Sequence, residues 1–179
     1  MKTAVIIHGW GGYPEGNWFP WLKAHLEQRG YAVLVPAMPN TDAPDSEEWL
    51  QKLQEVLPKP DQDVLIIGHS LGCITALRYA AMLQAEQKLH KIILVSGFIR
   101  TLGNPLTNGF FTEELDCDAV SQHVSEIIVI SSDNDPYISG EETNFLIDSL
   151  HPTFLMLHEA GHINAASGHT ELPEILPFI

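Results

Sequence analysis

The sequence predicts an α/β domain: a six-stranded, mostly parallel, doubly wound sheet with helices on both faces. Its short apolar runs are separated by longer stretches of helical period, an alternation that means right-handed crossovers. The runs are continuously apolar, as strands covered on both faces require. No repeat, linker or low-complexity segment breaks the order, and 179 residues fit one domain over 1–179 at about 150 residues per domain.

The elements follow in turn. The first strand run is 4–7. Residues 18–29 repeat apolar side chains at Trp18, Trp21, Leu22 and Leu26, and Gly30 is the stop. A second run, 32–35, precedes Asp45, which with Glu48 resembles a capping box opening a helix to about Leu57, before Pro58. The third run, 64–67, leads into a helix from Leu71 to about Glu86 with Cys73, Leu77, Ala80 and Leu83 on one face. Runs at 92–95, 127–130 and 154–157, a helix over 140–150 and a short helical tail near 172–179 complete the set. Residues 97–122 have no clear period, so this long connection is a lid or binding loop, or a surface loop with its own short helix. Its Phe98, Phe110 and Phe111 are candidates for an apolar substrate pocket, or for a cover over the core.

Composition narrows the function. At 45% hydrophobic and 18% charged, the chain is neither disordered nor fibrous. Nine Lys+Arg against 23 Asp+Glu give a net charge of −14, which repels phosphate backbones and anionic lipid. Cys73 and Cys117 allow one bridge at most and, with no secretory signal, are expected to be reduced. The apolar stretch after Met1-Lys2-Thr3 is too short for a signal sequence, and no run approaches the roughly 20 residues of a membrane span. A cytoplasmic location is expected.

Gly68-His69-Ser70-Leu71-Gly72 directly follows a strand run and opens a helix, the context that the G-x-S-x-G nucleophile elbow requires. The tight turn lifts the Ser70 hydroxyl clear of the backbone, and the Leu71 amide at the helix start can donate to an oxyanion. The plainer reading of Ser70 is a helix cap. A serine nucleophile needs a base and an orienting acid, in the order Ser, acid, His after successive strands. The fifth run is followed by Ser132-Asp133-Asn134-Asp135-Pro136 and the sixth by His158-Glu159-Ala160-Gly161-His162. Asp135 is preferred because Pro136 and Ile138 follow it, with Asp133 as the fallback. His162, in a Gly-His loop, is preferred to His158. The first run ends in His8-Gly9-Trp10-Gly11-Gly12, whose amides, Trp10 first and Gly11 second, can complete an oxyanion hole. Residues 158–162 also match the zinc motif H-E-x-x-H, but that motif works on a helix, and this one follows a strand and contains Gly161. His69, Cys73 and Trp49 read as packing residues; His25, His90, His123 and His151 read as exposed or locally bonded.

His8-Gly9-Trp10, Asn17-Trp18-Phe19-Pro20-Trp21-Leu22, Met38-Pro39-Asn40, the elbow, Asp135-Pro136 and Ala160-Gly161-His162-Ile163-Asn164 followed by Ser167-Gly168 span nearly the whole chain. Together they resemble the small serine hydrolases grouped with retinoblastoma-binding protein nine and the YdeN-like bacterial proteins. The resemblance implies a minimal α/β-hydrolase lacking the first two strands, with a triad of Ser70, Asp135 and His162. Ser139 departs from the Pro often found after the acid loop. The L-x-C-x-E motif is absent, Leu115-Asp116-Cys117-Asp118-Ala119 being the nearest string, so no retinoblastoma-type partner is implied. The expected activity is cleavage of a small-molecule carboxylic ester through an acyl-enzyme, without metal or organic cofactor. The rivals are a catalytically weak interaction module on a hydrolase scaffold and a zinc hydrolase.

Overall fold

A computed structural model of the protein describes residues 2–179. The elements run β1 (Thr3–Ile7), α1 (Phe19–Gln28), β2 (Ala32–Leu34), α2 (Ser46–Val56), β3 (Val64–His69), α3 (Leu71–Ala81), β4 (Leu89–Val95), α4 (Cys117–His123), β5 (Val124–Ser132), α5 (Gly140–Leu150) and β6 (Thr153–Leu157). The six strands form one sheet in the order β2-β1-β3-β4-β5-β6, and every neighbouring pair is parallel.

The continuous apolar runs serve both faces. Val5, Ile7, Ile66, Ile92, Leu94, Ile127 and Val129 point into a core with side chains of α2, α3, α4 and α5. Their neighbours Ala4, Ile6, Leu65, Ile67, Ile93, Val95, Ile128 and Ile130 point into a second core with α1 and the C-terminal tail. The chain starts at β1, crosses to β2 on one side, then builds β3 to β6 on the other. The strand order reverses between β1 and β3, the place where open parallel sheets bind ligands beyond the carboxyl ends of their strands.

Several boundaries differ from expectation. α3 stops at Ala81 rather than Glu86, because a turn ties the Gln87 amide to the Gln84 carbonyl at 2.8 Å. Asp45 caps α2 through the amides of Glu47 and Glu48, but the Glu48 carboxylate accepts from Asn40 Nδ2 at 2.6 Å, so the reciprocal half of the capping box is not made. The tail is 3-10 over Pro173–Phe178, with Pro177 inside it unable to supply an α-helical amide. Residues 97–122 carry a 3-10 turn at Asn108–Phe111 and the start of α4. Arg78 of α3 donates to the Phe110 carbonyl at 3.0 Å, and Arg100 pairs with Glu142 at 2.7 Å. Cys73 and Cys117 are free. His123 is buried, with Nδ1 2.9 Å from the distant Gln87 carbonyl, rather than exposed or locally bonded.

Candidate active site

The elbow is a steric consequence of α3 starting against the end of β1. A Cβ on Gly72 would lie 2.4 Å from the Ile7 carbonyl oxygen, and one on Gly68 would lie 2.8 Å from the Cys73 amide nitrogen. Ser70 between them holds φ 53°, ψ −120°, a conformation non-glycine residues rarely adopt. Its amide donates to the Val95 carbonyl at 2.9 Å, and its carbonyl accepts from Cys73 at 3.0 Å. Leu71 opens α3, where amides have no acceptor within the helix.

The loop after β1 passes directly beside the serine: a Cβ on Gly9 would sit 2.9 Å from Ser70 Cβ. Two of its amides are already committed, Gly11 to the Thr41 carbonyl at 2.9 Å and Gly12 to the Gly9 carbonyl at 3.0 Å. The Gly11 amide is therefore engaged with a backbone acceptor rather than free to receive an oxyanion. The loop is fixed by His8, whose Nε2 accepts the Met38 amide at 3.1 Å while Nδ1 lies 2.9 Å from the Gly9 carbonyl. An imidazole that accepts at Nε2 carries its proton on Nδ1, so His8 is the neutral Nδ1–H tautomer.

His162 Nδ1 is 2.8 Å from Asp135 Oδ2, and the two side chains are 10% and 3% exposed. The other carboxylate oxygen, Oδ1, accepts the amides of Tyr137 at 2.9 Å and Ile138 at 3.2 Å, which is what the turn through Pro136 provides. Asp133 pairs instead with His158 at 2.6 Å, and there the side chains are 40% and 81% exposed. Asp133 titrates below its ordinary range because of the His158 hydrogen bond and then the Glu159 amide. Residues 158–162 form turns rather than a helix, and each histidine faces its own aspartate, so the H-E-x-x-H spacing does not put the two imidazoles on one helical face.

Sequence reasoning missed the clamp on this loop. Ser132 Oγ accepts the Ala160 amide at 2.9 Å, Asp133 Oδ1 the Glu159 amide at 2.8 Å, and Asn134 Oδ1 the Gly161 amide at 2.7 Å. From the elbow, His69 Nε2 donates to the His162 carbonyl at 3.0 Å, and Trp18 Nε1 to the Ile163 carbonyl at 2.9 Å. His69 is therefore more than packing. The signal was present in the run of acceptor side chains from 132 to 135 opposite a Gly-His loop. Asn134→Ala is expected to lower kcat about ten- to a hundredfold by loosening the imidazole, with little change in KM. Steady-state kinetics on an activated ester measures both, and an unchanged kcat would show that the remaining contacts suffice.

Burial pushes the His69 pKa from 6.5 down to about 3, assisted by the charge of nearby His162; burial also lowers His8. The unfolded chain therefore binds protons near pH 6.5 that the folded chain refuses, so stability is full above that pH and falls as pH drops toward 3. At about 1.4 kcal/mol per pH unit, His69 alone removes about 2 kcal/mol between pH 6.5 and 5. Thermal melts across this range should fall steeply, and a flat Tm would refute the neutral, buried assignment.

A cavity of about 430 Å³ lies over Ser70 and His162, lined also by Trp10, Leu71 and Phe98. Phe110 and Phe111, expected with Phe98 to bind substrate, do not line it. Phe110 is buried edge-on to Trp49 at 5.4 Å, and Phe111 is spent stacking on Phe98 at 5.4 Å. The loop instead contributes Leu102, Asn104 and Thr107.

Similarity to known proteins agrees with this architecture. The chain is 31% identical to YdeN of Bacillus subtilis (strain 168) over 173 residues, covering 96% of this chain and 91% of that one. It is 30% identical to the serine hydrolase RBBP9 of Rattus norvegicus, covering 93% and 89%. The crystal structure of the B. subtilis ydeN gene product superposes with a TM-score of 0.95 at 29% identity, covering 99% of this chain and 96% of that one. Est1E from Butyrivibrio proteoclasticus, at 16% identity, 90% and 80% coverage and a TM-score of 0.72, shares the fold. A family model described as serine hydrolase matches residues 4–179, and the chain belongs to the serine hydrolase family.

Proposed function

We propose that this hydrolase cleaves carboxylic esters through Ser70, His162 and Asp135. The observation that carries the reading is the buried His162–Asp135 pair, 2.8 Å apart, opening onto the cavity that also holds Ser70. Asp135 holds the proton on Nδ1, which leaves Nε2 unprotonated to take the Ser70 proton as Oγ attacks the carbonyl carbon. The amides of Leu71 and Trp10 receive the oxyanion of the tetrahedral adduct. Collapse expels the alcohol, protonated by His162, and leaves an acyl-enzyme. Water, deprotonated by the same imidazole, then releases the acid and regenerates Ser70.

The chain's own groups suffice for every step, so no metal or organic cofactor enters. The acidic surface and two free thiols support a small-molecule substrate in a reducing, cytoplasmic setting. A neutral fluorophosphonate probe should label the wild type and leave Ser70→Ala unlabelled. Equal labelling of both would overturn the nucleophile.

A further inference from the structure

Two cavities, not one, meet at the serine. The larger, about 430 Å³, is walled by Phe98, Leu102, Pro136 and Tyr137. The smaller, about 170 Å³, is walled by the backbone of Gly9, Gly11, Gly12 and Gly16 with Tyr13 and Asn17. Both are bounded by Trp10, Ser70, His162 and Asn164, so a carbonyl carbon on Ser70 sits where they join. Trp10 borders both, its indole Nε1 donating to the Asp42 carbonyl at 3.0 Å.

The two compartments differ in size and chemistry. At about 30 Å³ for each water-sized group, the larger holds up to about fourteen non-hydrogen atoms and the smaller about six. Aromatic and aliphatic walls favour an apolar arm in the larger, while peptide groups line the smaller. Among the described residues lining either cavity, none is Lys, Arg, Asp or Glu. An ionised group on either arm would meet no Lys, Arg, Asp or Glu side chain to offset the water it gives up. Anions are further opposed by the net charge of −14.

Resting on the esterase reading, the geometry points to an uncharged ester with unequal arms as the substrate: one apolar and long, the other compact. The reacting carbonyl lies between them, and the wall formed by residues 98–107 sets the length of the long arm.

Two ester series test this with the intact protein: methyl esters of lengthening fatty acids, and acetates of lengthening alcohols. In one series kcat/KM should climb at least tenfold up to about ten carbons; in the other it should fall once the arm exceeds about six non-hydrogen atoms. Monomethyl succinate and acetylcholine should each run at least tenfold below neutral esters of the same shape. Leu102→Trp should shorten the preferred arm in the climbing series. Equal tolerance of both arms, or a charged ester matching its neutral counterpart, overturns the proposal, as does Ser70 labelling by the fluorophosphonate without turnover of any ester in either series. Loss of labelling in the wild type would instead sink the esterase reading itself.

Discussion

Replacing Asp135 with Asn is expected to lower kcat about ten-thousandfold with little change in KM, whereas Asp133→Asn should cost less than about tenfold. Both aspartates lie just past β5 and both bind a histidine of the facing loop, at 2.8 and 2.6 Å. Burial separates them. The Asp135–His162 pair is nearly closed to solvent, where its field acts at low dielectric, while Asp133 and His158 are open to water. The Asn substitution is informative because Oδ1 of residue 135 already accepts the Tyr137 and Ile138 amides. An asparagine keeps those two bonds with its carbonyl oxygen, so its NH2 must face His162 Nδ1. Nδ1 then becomes the acceptor, the proton moves to Nε2, and the imidazole can no longer take a proton from Ser70. The fold should survive, since shape and the turn's hydrogen bonds are kept. Steady-state kinetics on one activated ester, with thermal melts as control, decides it. Equal losses in the two variants would mean that the two pairs share the work and that the buried one is not the orienting acid.

How much of this was legible depends on whether the cause is local. Strand and helix alternation follows from runs such as 64–67 and from two-sided burial, and both are visible in composition at each position. The elbow is likewise local, because Gly68 and Gly72 flank Ser70 in sequence and their crowding lies within a single strand-to-helix turn and the adjoining β1. The choice between Asp133 and Asp135 is local in one half only: Pro136 and Ile138 mark the turn whose amides hold Asp135, but burial of its pairing with His162 depends on the loop after β6. The loop over 97–122 was the least readable: its ordering comes from Arg78 and Arg100 reaching in from outside or across to α5, and of the three aromatics it offered, Phe98 lines the cavity together with Leu102, Asn104 and Thr107. The clamp of residues 132–134 on 159–161 needed two loops far apart in sequence to be brought face to face, which β5 and β6 do by pairing Ser132 with Leu157.

Gly72→Ala is expected to be the most destabilising single-methyl change near the site, at more than about 4 kcal/mol, enough to leave little soluble folded protein. The added Cβ would sit 2.4 Å from the Ile7 carbonyl oxygen and 2.7 Å from that of His8. Neither can yield cheaply, because both belong to backbone at the carboxyl end of β1, a strand held by β2 on one side and β3 on the other. Relief would require lifting the first turn of α3 off the sheet, dragging Leu71, Cys73 and Ile74 out of the core they occupy. Two glycines calibrate the result. Gly30→Ala meets nothing within 4 Å but carries φ +84°, so it should cost only about 1 kcal/mol. Gly109→Ala meets nothing within 4 Å and its φ lies outside the left-handed region, so it should be neutral or slightly stabilising. Urea unfolding of the three variants should rank them in that order. If Gly72→Ala unfolds within 1 kcal/mol of the wild type, β1 and α3 are not in the close contact that places the Gly9–Gly12 loop beside Ser70. The oxyanion assignment to Trp10 and the two-cavity junction would then fall together, since both depend on that approach.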